Sequence, residues 1–254
     1  MHKGTAVRGA AVVALLVAGV ARAQHGGASG PQWTVDSGET VGNGENVFRA
    51  QAGYPGIWLD FLHGINSTWD IGGRFGFNYS FQGALGFGDT AAGCNVGFVS
   101  CPSYLGSGVG LNFQALIRTT IGEIGHYKIA LTFDPGLMLY FPSSALFNTS
   151  AIAGIMFPIG AQMGFPVNQK LVFNASFELP LFATFSDGAS GSNYGGAFFI
   201  PILFGGGVEY FLQPNLSLTF KLALGVTITT NAPPTISSAA FTLQTMGGIA
   251  YRFR

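Results

Sequence analysis

The sequence is poor in charge. Only 9% of its 254 residues are Asp, Glu, Lys or Arg, against about 25% in ordinary soluble domains. Its eleven basic and eleven acidic side chains cancel. Without a basic excess there are no clustered Lys and Arg to hold phosphates, which excludes nucleic acid as a partner. A surface with so few charges is poorly solvated, so much of it does not face water. Beyond residue 23 the chain also lacks any long uninterrupted apolar run, because Gly, Pro, Asn and charged residues break every stretch. Membrane helices need about 20 apolar residues each and are excluded.

Histidine and cysteine are scarce too. After residue 23 only His25, His63 and His126 occur, and no G-x-S-x-G, H-E-x-x-H or metal-ligand cluster is present. Nothing asks for a metal or a cofactor. An enzyme needs a nucleophile, a base and an orienting acid in one place. On this ground the chain reads as non-enzymatic. The two cysteines, Cys94 and Cys101, lie seven positions apart in a Gly-rich segment. In an oxidising compartment they close a small-loop disulfide. A metal or redox pair is the other reading, but the spacing is not C-x-x-C and no His is near.

What the sequence does have is 48% hydrophobic and 14% aromatic residues, arranged by position. His2, Lys3 and Arg8 precede an apolar stretch, Ala10 to Val20, and then Ala21-Arg22-Ala23. This pattern predicts a secretory signal peptide over 1–23; the stretch is too short for a helical anchor. Residues 24–45 are rich in Gly, Ser and Thr and read as a flexible lead. From Asn46 to the end, apolar and polar residues alternate with period two, the mark of strands whose faces meet different environments. In 216–229, Leu216, Leu218, Phe220, Leu222, Leu224, Val226 and Ile228 form one face. Ser217, Thr219, Lys221, Thr227 and Thr229 lie on the other. Short polar turns at 66–68, 122–125, 168–169 and 213–215 alternate with long loops at 83–106, 142–149, 186–194 and 230–238. The spacing predicts ten strands over 46–254, or eight or twelve if 46–65 or a long loop is misread.

The charges sort by face. Arg49, Arg74, Arg118, Lys128, Lys221 and Arg252 fall on the polar parity, with Asp60, Asp70, Asp134, Glu178 and Glu209. A soluble β-sandwich would put such a face outside and bury the apolar one. A transmembrane barrel inverts this: apolar side chains meet lipid and charges line a lumen. The long apolar face of every strand and the aromatics at strand ends favour the barrel. Trp69, Tyr127, Phe165, Tyr210, Tyr251 and Phe253 mark the turn side; Tyr79, Phe81, Phe141, Phe185 and Phe198 mark the loop side. The fold class expected is all-β, a closed antiparallel transmembrane barrel.

The signal peptide, the alternating turns and the last strand with Ile249, Tyr251 and Phe253 resemble the small outer-membrane β-barrel proteins of Gram-negative bacteria. The resemblance covers about residues 46–254. It implies residence in the cell outer membrane, contact with its lipids, and insertion by the barrel-assembly machinery. That machinery usually reads a terminal aromatic; here Arg254 follows Phe253.

Three functions follow as expectations. The balanced inward charges fit mutual pairing in a narrow pore or structural barrel for a small solute, with little ion preference. Pro135, Pro158, Pro180 and Pro201 fall in four successive strands. Each removes a ladder donor, and they mark either a bent outer rim or a shaped mouth. Met156, Pro158, Pro180, Phe199 and Pro201 would then hold a small hydrophobic ligand. A lipid hydrolase is the third class, although His63 and His126 lie toward the turn end.

Overall fold

The structure, a computed structural model, describes residues 31, 33–79, 95–96, 99–100, 108–124, 127–142, 151–186, 197–230 and 239–254. Residues 1–23, Cys94, Cys101 and His126 lie outside the described residues, with the expectations that fall on them. The strands are β1 (Asn46–Tyr54), β2 (Gly56–Gly64), β3 (Trp69–Asn78), β4 (Asn95–Val96), β5 (Val99–Ser100), β6 (Gly108–Ile124) and β7 (Tyr127–Phe133). They continue as β8 (Gly136–Pro142), β9 (Ile152–Asn168), β10 (Leu171–Ser186), β11 (Ala197–Gln213), β12 (Leu216–Thr230) and β13 (Ala239–Phe253). Strands β4 and β5 pair only with each other.

The other eleven form one antiparallel sheet that closes on itself, with β13 beside β1 and Arg49 opposite Ala250. Strands β7 and β8 are two halves of one stave. Both pair with β6 on one side and β9 on the other. The barrel therefore has ten staves, as the alternation and turns led us to expect. Closure leaves this sheet no edge strand among the described residues, which is the condition for a sheet to cross a bilayer.

The break in the split stave falls at Asp134-Pro135, between Phe133 and Gly136. Proline has no N–H to give the ladder. Pro158 and Pro180 sit opposite each other across β9 and β10. Direct pairing of β10 with β11 skips from Glu178–Leu203 to Phe182–Phe199, around Pro180 and Pro201. The rim reading is thereby corrected. The staves run on past these prolines to Pro142, Ile152, Ser186 and Ala197, so the prolines loosen the wall within its height.

Side chains sort by face throughout. Phe48, Leu59, Phe75, Phe113, Leu137, Phe204, Leu218 and Leu222 are exposed on the outside, while Arg49, Asp60, Asp70, Arg118 and Glu209 are buried inside. Register shifts at the turn end adjust this rule, at Thr120/Gly122, Leu171/Val172 and Phe211/Gln213. The register of β6 shifts between Thr120 and Gly122, which sets Glu123 opposite Lys128 at the turn end.

Candidate functional site

The segment before β1 does not hang free. The expectation of a flexible lead fails for residues 33–41, most of which are buried in the turn-end lumen. Trp33, Val35 and Val41 pack with Val47, Leu62, Val172 and Phe211 in one apolar cluster. The Trp33 ring meets Phe211 edge-on at 5.2 Å, and its indole N–H donates to the Pro214 carbonyl at 2.8 Å. The Arg252 guanidinium lies over the Trp33 ring, 5.4 Å from its centroid. Composition hid this plug, because three apolar residues in a Ser/Thr/Gly run have no period.

Glycines make its seat. A Cβ at Gly38 would fall 1.8 Å from the Lys128 carbonyl oxygen, and one at Gly164 would fall 2.4 Å from the Ser37 Cβ. Only a residue without a side chain permits so close an approach of plug and wall. Gly164 is covered by Ser37 of the plug.

Above the seat, charges tie plug to barrel. Asp70 and Arg118 form a clamp: Arg118 Nε donates to Asp70 Oδ2 at 2.8 Å. Its Nη1 and Nη2 donate to the carbonyls of Val35 and Thr34 at 2.9 and 3.0 Å. The Asp70 carboxylate accepts the Val41 N–H at 3.2 Å. Glu209 accepts the Val35 N–H at 3.1 Å and the Ser217 hydroxyl at 2.7 Å. Arg49 bridges plug and wall, reaching Asp36 and Asp60 at 2.6 Å each. Lys128 pairs with Glu39 at 2.7 Å. Burying so much charge is tolerated only when nearly every group is paired and hydrogen-bonded.

The eleven charged residues singled out in the sequence thus divide by height. Lys128 and Arg252 serve the plug at the turn end. Arg118, Asp70 and Glu209 hold its backbone. Arg49, Asp60, Arg74, Asp134, Glu178 and Lys221 belong to a belt above it. Arg74 binds Asp60 at 2.7 Å, stands 4.6 Å over the Trp58 ring, and reaches Asp134 only at 3.8 Å. Lys221 pairs with Glu178 at 2.5 Å. Asp36 and Glu39, which the period-two pattern does not reach, complete the set.

Over the belt lies a cavity of about 120 Å³, lined by Asp36, Arg49, Trp58, Arg74, Asp134, Glu178, Leu203 and Lys221 among others. Pro158, Pro180 and Pro201 also line it, where the wall is loosened. The expected hydrophobic mouth site splits at this point. Met156 and Phe199 do not face the cavity. They are buried with Met138, Tyr140, Ile152 and Phe182 in a packed apolar cluster, Phe199 stacked on Phe182 at 4.5 Å. His63 is engaged at the turn end, its Nδ1 2.9 Å from Asn46 Oδ1. Among the described residues no three His, Cys, Asp or Glu are grouped as metal ligands.

No protein-family model and no curated protein matches the chain. Solved structures do. The outer membrane protease OmpT from Escherichia coli is similar at 10% identity and a TM-score of 0.42, over 82% of this chain and 93% of that one. OmpT of Vibrio cholerae, an outer membrane protein, is similar at 13% identity and a TM-score of 0.32. That match covers 85% of this chain and 62% of the other. One of these barrels is a protease, and the expectation of a non-enzymatic chain is withdrawn. The likeness is one of overall shape and transfers no catalytic residue. With its closed antiparallel wall, apolar exterior and ionic interior, the chain has the fold of an outer-membrane β-barrel.

Proposed function

We propose that the protein is a gated, narrow conduit of the outer membrane, in which the lumen cavity takes up a small solute and residues 33–45 close the turn end. One observation carries this reading. The obstruction at the turn end is a separate segment seated by side-chain contacts and hydrogen bonds, while the wall around it is a complete barrel. Side chains of the strands alone can fill a lumen, so a barrel with no opening to control needs no separate segment at its turn end. Export by the segment 1–23, insertion by the barrel-assembly machinery and contact with outer-membrane lipids belong to the same proposal.

Planar-bilayer recording tests it. The full chain gives a closed trace with rare openings. A chain lacking residues 31–41 gives a steady conductance, provided it still migrates as a folded barrel on a detergent gel before boiling. A folded deletion variant that stays electrically silent would rule out the conduit.

A further inference from the structure

Two glutamines on the cavity wall have no partner for their amides. Gln51 on β1 and Gln244 on β13 are 4% and 8% exposed, yet neither side chain makes a hydrogen bond among the described residues. Neither holds a fully enclosed polar atom and both line the cavity, so their amides open on it. Gln114 on β6 adds a third amide. Its Nε2 donates to the Asp134 carbonyl at 3.4 Å, and its Oε1 accepts no bond among the described residues. Glycines let these side chains lie along the wall. A Cβ at Gly248 would fall 2.7 Å from Gln51 Cγ, and one at Gly136 would fall 2.7 Å from Gln114 Cγ. The ionised groups around the cavity are by contrast engaged with one another. Arg49 holds Asp36 and Asp60, Arg118 holds Asp70, and Lys221 holds Glu178. Glu209 accepts the Val35 N–H and the Ser217 hydroxyl. Arg74 binds Asp60 and faces Asp134 at 3.8 Å, so the Asp134 charge is met while its oxygens accept no hydrogen bond. A charged ligand would have to draw one of these groups from its partner and leave a buried charge uncompensated. A buried amide has donors and an acceptor together, and leaving them without partners is costly.

We infer that this cavity is a binding site for a small neutral polyol, held by the amides of Gln51 and Gln244 and by Asp134. A hydroxyl both donates and accepts. It gives its proton to an amide oxygen or to Asp134, and it accepts from an amide nitrogen. It brings no charge to disturb the paired belt. Trp58, Leu203 and Met246 supply apolar wall for the carbon backbone. The cavity holds about 120 Å³. Cavities on this scale admit molecules about the size of benzene, with about six non-hydrogen atoms, which is the size of glycerol. The inference rests on the proposal of a solute-accessible lumen and names the class of its solute.

Trp58 reports on the site. Of the three tryptophans it alone lines the cavity, since Trp33 sits in the plug and Trp69 is exposed on the outer face. The folded full chain is labelled with 5-fluorotryptophan and kept in detergent free of glycerol. Its fluorine NMR signals are assigned with Trp58→Phe and Trp69→Phe. Glycerol shifts the Trp58 signal saturably and leaves the other two in place. 1-Butanol, propylammonium chloride and sodium propionate, at equal concentration and constant ionic strength, give no saturable shift. Gln51→Leu and Gln244→Leu each weaken the glycerol response about fivefold, the scale of losing one neutral hydrogen bond. Glu123→Gln, at the turn-end rim, leaves it unchanged. A Trp58 signal that moves only in step with Trp33 and Trp69 would overturn the assignment and leave the amides to water alone. Equal saturation by butanol or by either ion, or full affinity in either leucine variant, would overturn it too. The wild-type comparison decides even if a variant fails to fold. Saturable glycerol binding beside a silent plug-deleted barrel would refute the conduit and leave the site standing. A conducting plug-deleted barrel whose full chain ignores glycerol would do the reverse.

Discussion

Arg49 is the residue on which plug and barrel depend together. Its guanidinium spans Asp36 on the plug and Asp60 on β2, and all three are buried. Removing one member of a buried ionic set leaves its partners charged and uncompensated, at a cost of about 3–5 kcal/mol. Arg49→Ala therefore unfolds at lower urea in lipid vesicles, while Asp60→Asn combined with Arg49→Met recovers part of the loss. The Asp36 carboxyl sets a pH limit. Burial pushes it up, but the charges of Arg49 and Lys221, with the Arg49 hydrogen bond, outweigh that and hold it below the ordinary carboxylate value. A group whose folded value is depressed stabilises the fold above its unfolded value and loses that contribution as pH falls through the folded one. The plug accordingly stays seated from neutral pH down to about pH 4 and loosens only in stronger acid. Hydrogen exchange at the Val35 and Val41 amides reads this directly. Loosening that begins near pH 6 would show that Asp36 is not the controlling group.

At the scale of elements, the strands were legible and the plug was not, for a physical reason. A stave separates lipid from lumen, so each residue carries the signature of one side or the other, and period two follows from the pleat. The seat of Trp33, Val35 and Val41 is built from residues far along the chain. Val35 donates to Glu209, and Arg118 reaches back to Thr34. No local window contains both halves of such a contact. The two valines, Trp33 and the acids Asp36 and Glu39 in a Gly/Ser/Thr run were the only local trace. The charged parity of the strands was legible as an interior, yet its pairing was not, because Asp36 reaches Arg49 from outside the alternation. The prolines were legible as breaks in the ladder, but their height in the wall depended on how far the staves run on. The plug makes its own prediction. Trp33→Ala removes a buried ring whose truncation costs about 3–5 kcal/mol in a packed core. Amides of residues 35–41 then exchange fast while those of β12 stay protected. Gly164→Val gives the same pattern through collision with Ser37. Simultaneous loss of protection in β12 would mean that plug and barrel are one cooperative unit.

For the whole molecule, the exterior decides what kind of solvent surrounds it. Leu218, Phe220, Leu222, Leu224 and Val226 stand exposed on alternate positions of β12, and the row continues through Ile249 on β13 and Phe48 on β1. Exposed Trp69, Tyr210 and Tyr251 lie toward the turn end, and Tyr79, Phe141 and Phe185 toward the loop end. Water around such a surface would drive aggregation, whereas acyl chains between two aromatic girdles match it. A charge placed on this face reports its depth. Leu222 is near the middle of β12, and Ile124 ends β6 at the turn side. Leu222→Arg costs about 2–4 kcal/mol, the value for a guanidinium at the bilayer midplane, and Ile124→Arg about 0–1 kcal/mol, as at an interface. Urea unfolding from vesicles measures both. In a barrel surrounded by water the two substitutions would be equally mild, since arginine on a wet surface meets no desolvation. The contrast between them therefore tests the membrane assignment without reference to what passes through the lumen.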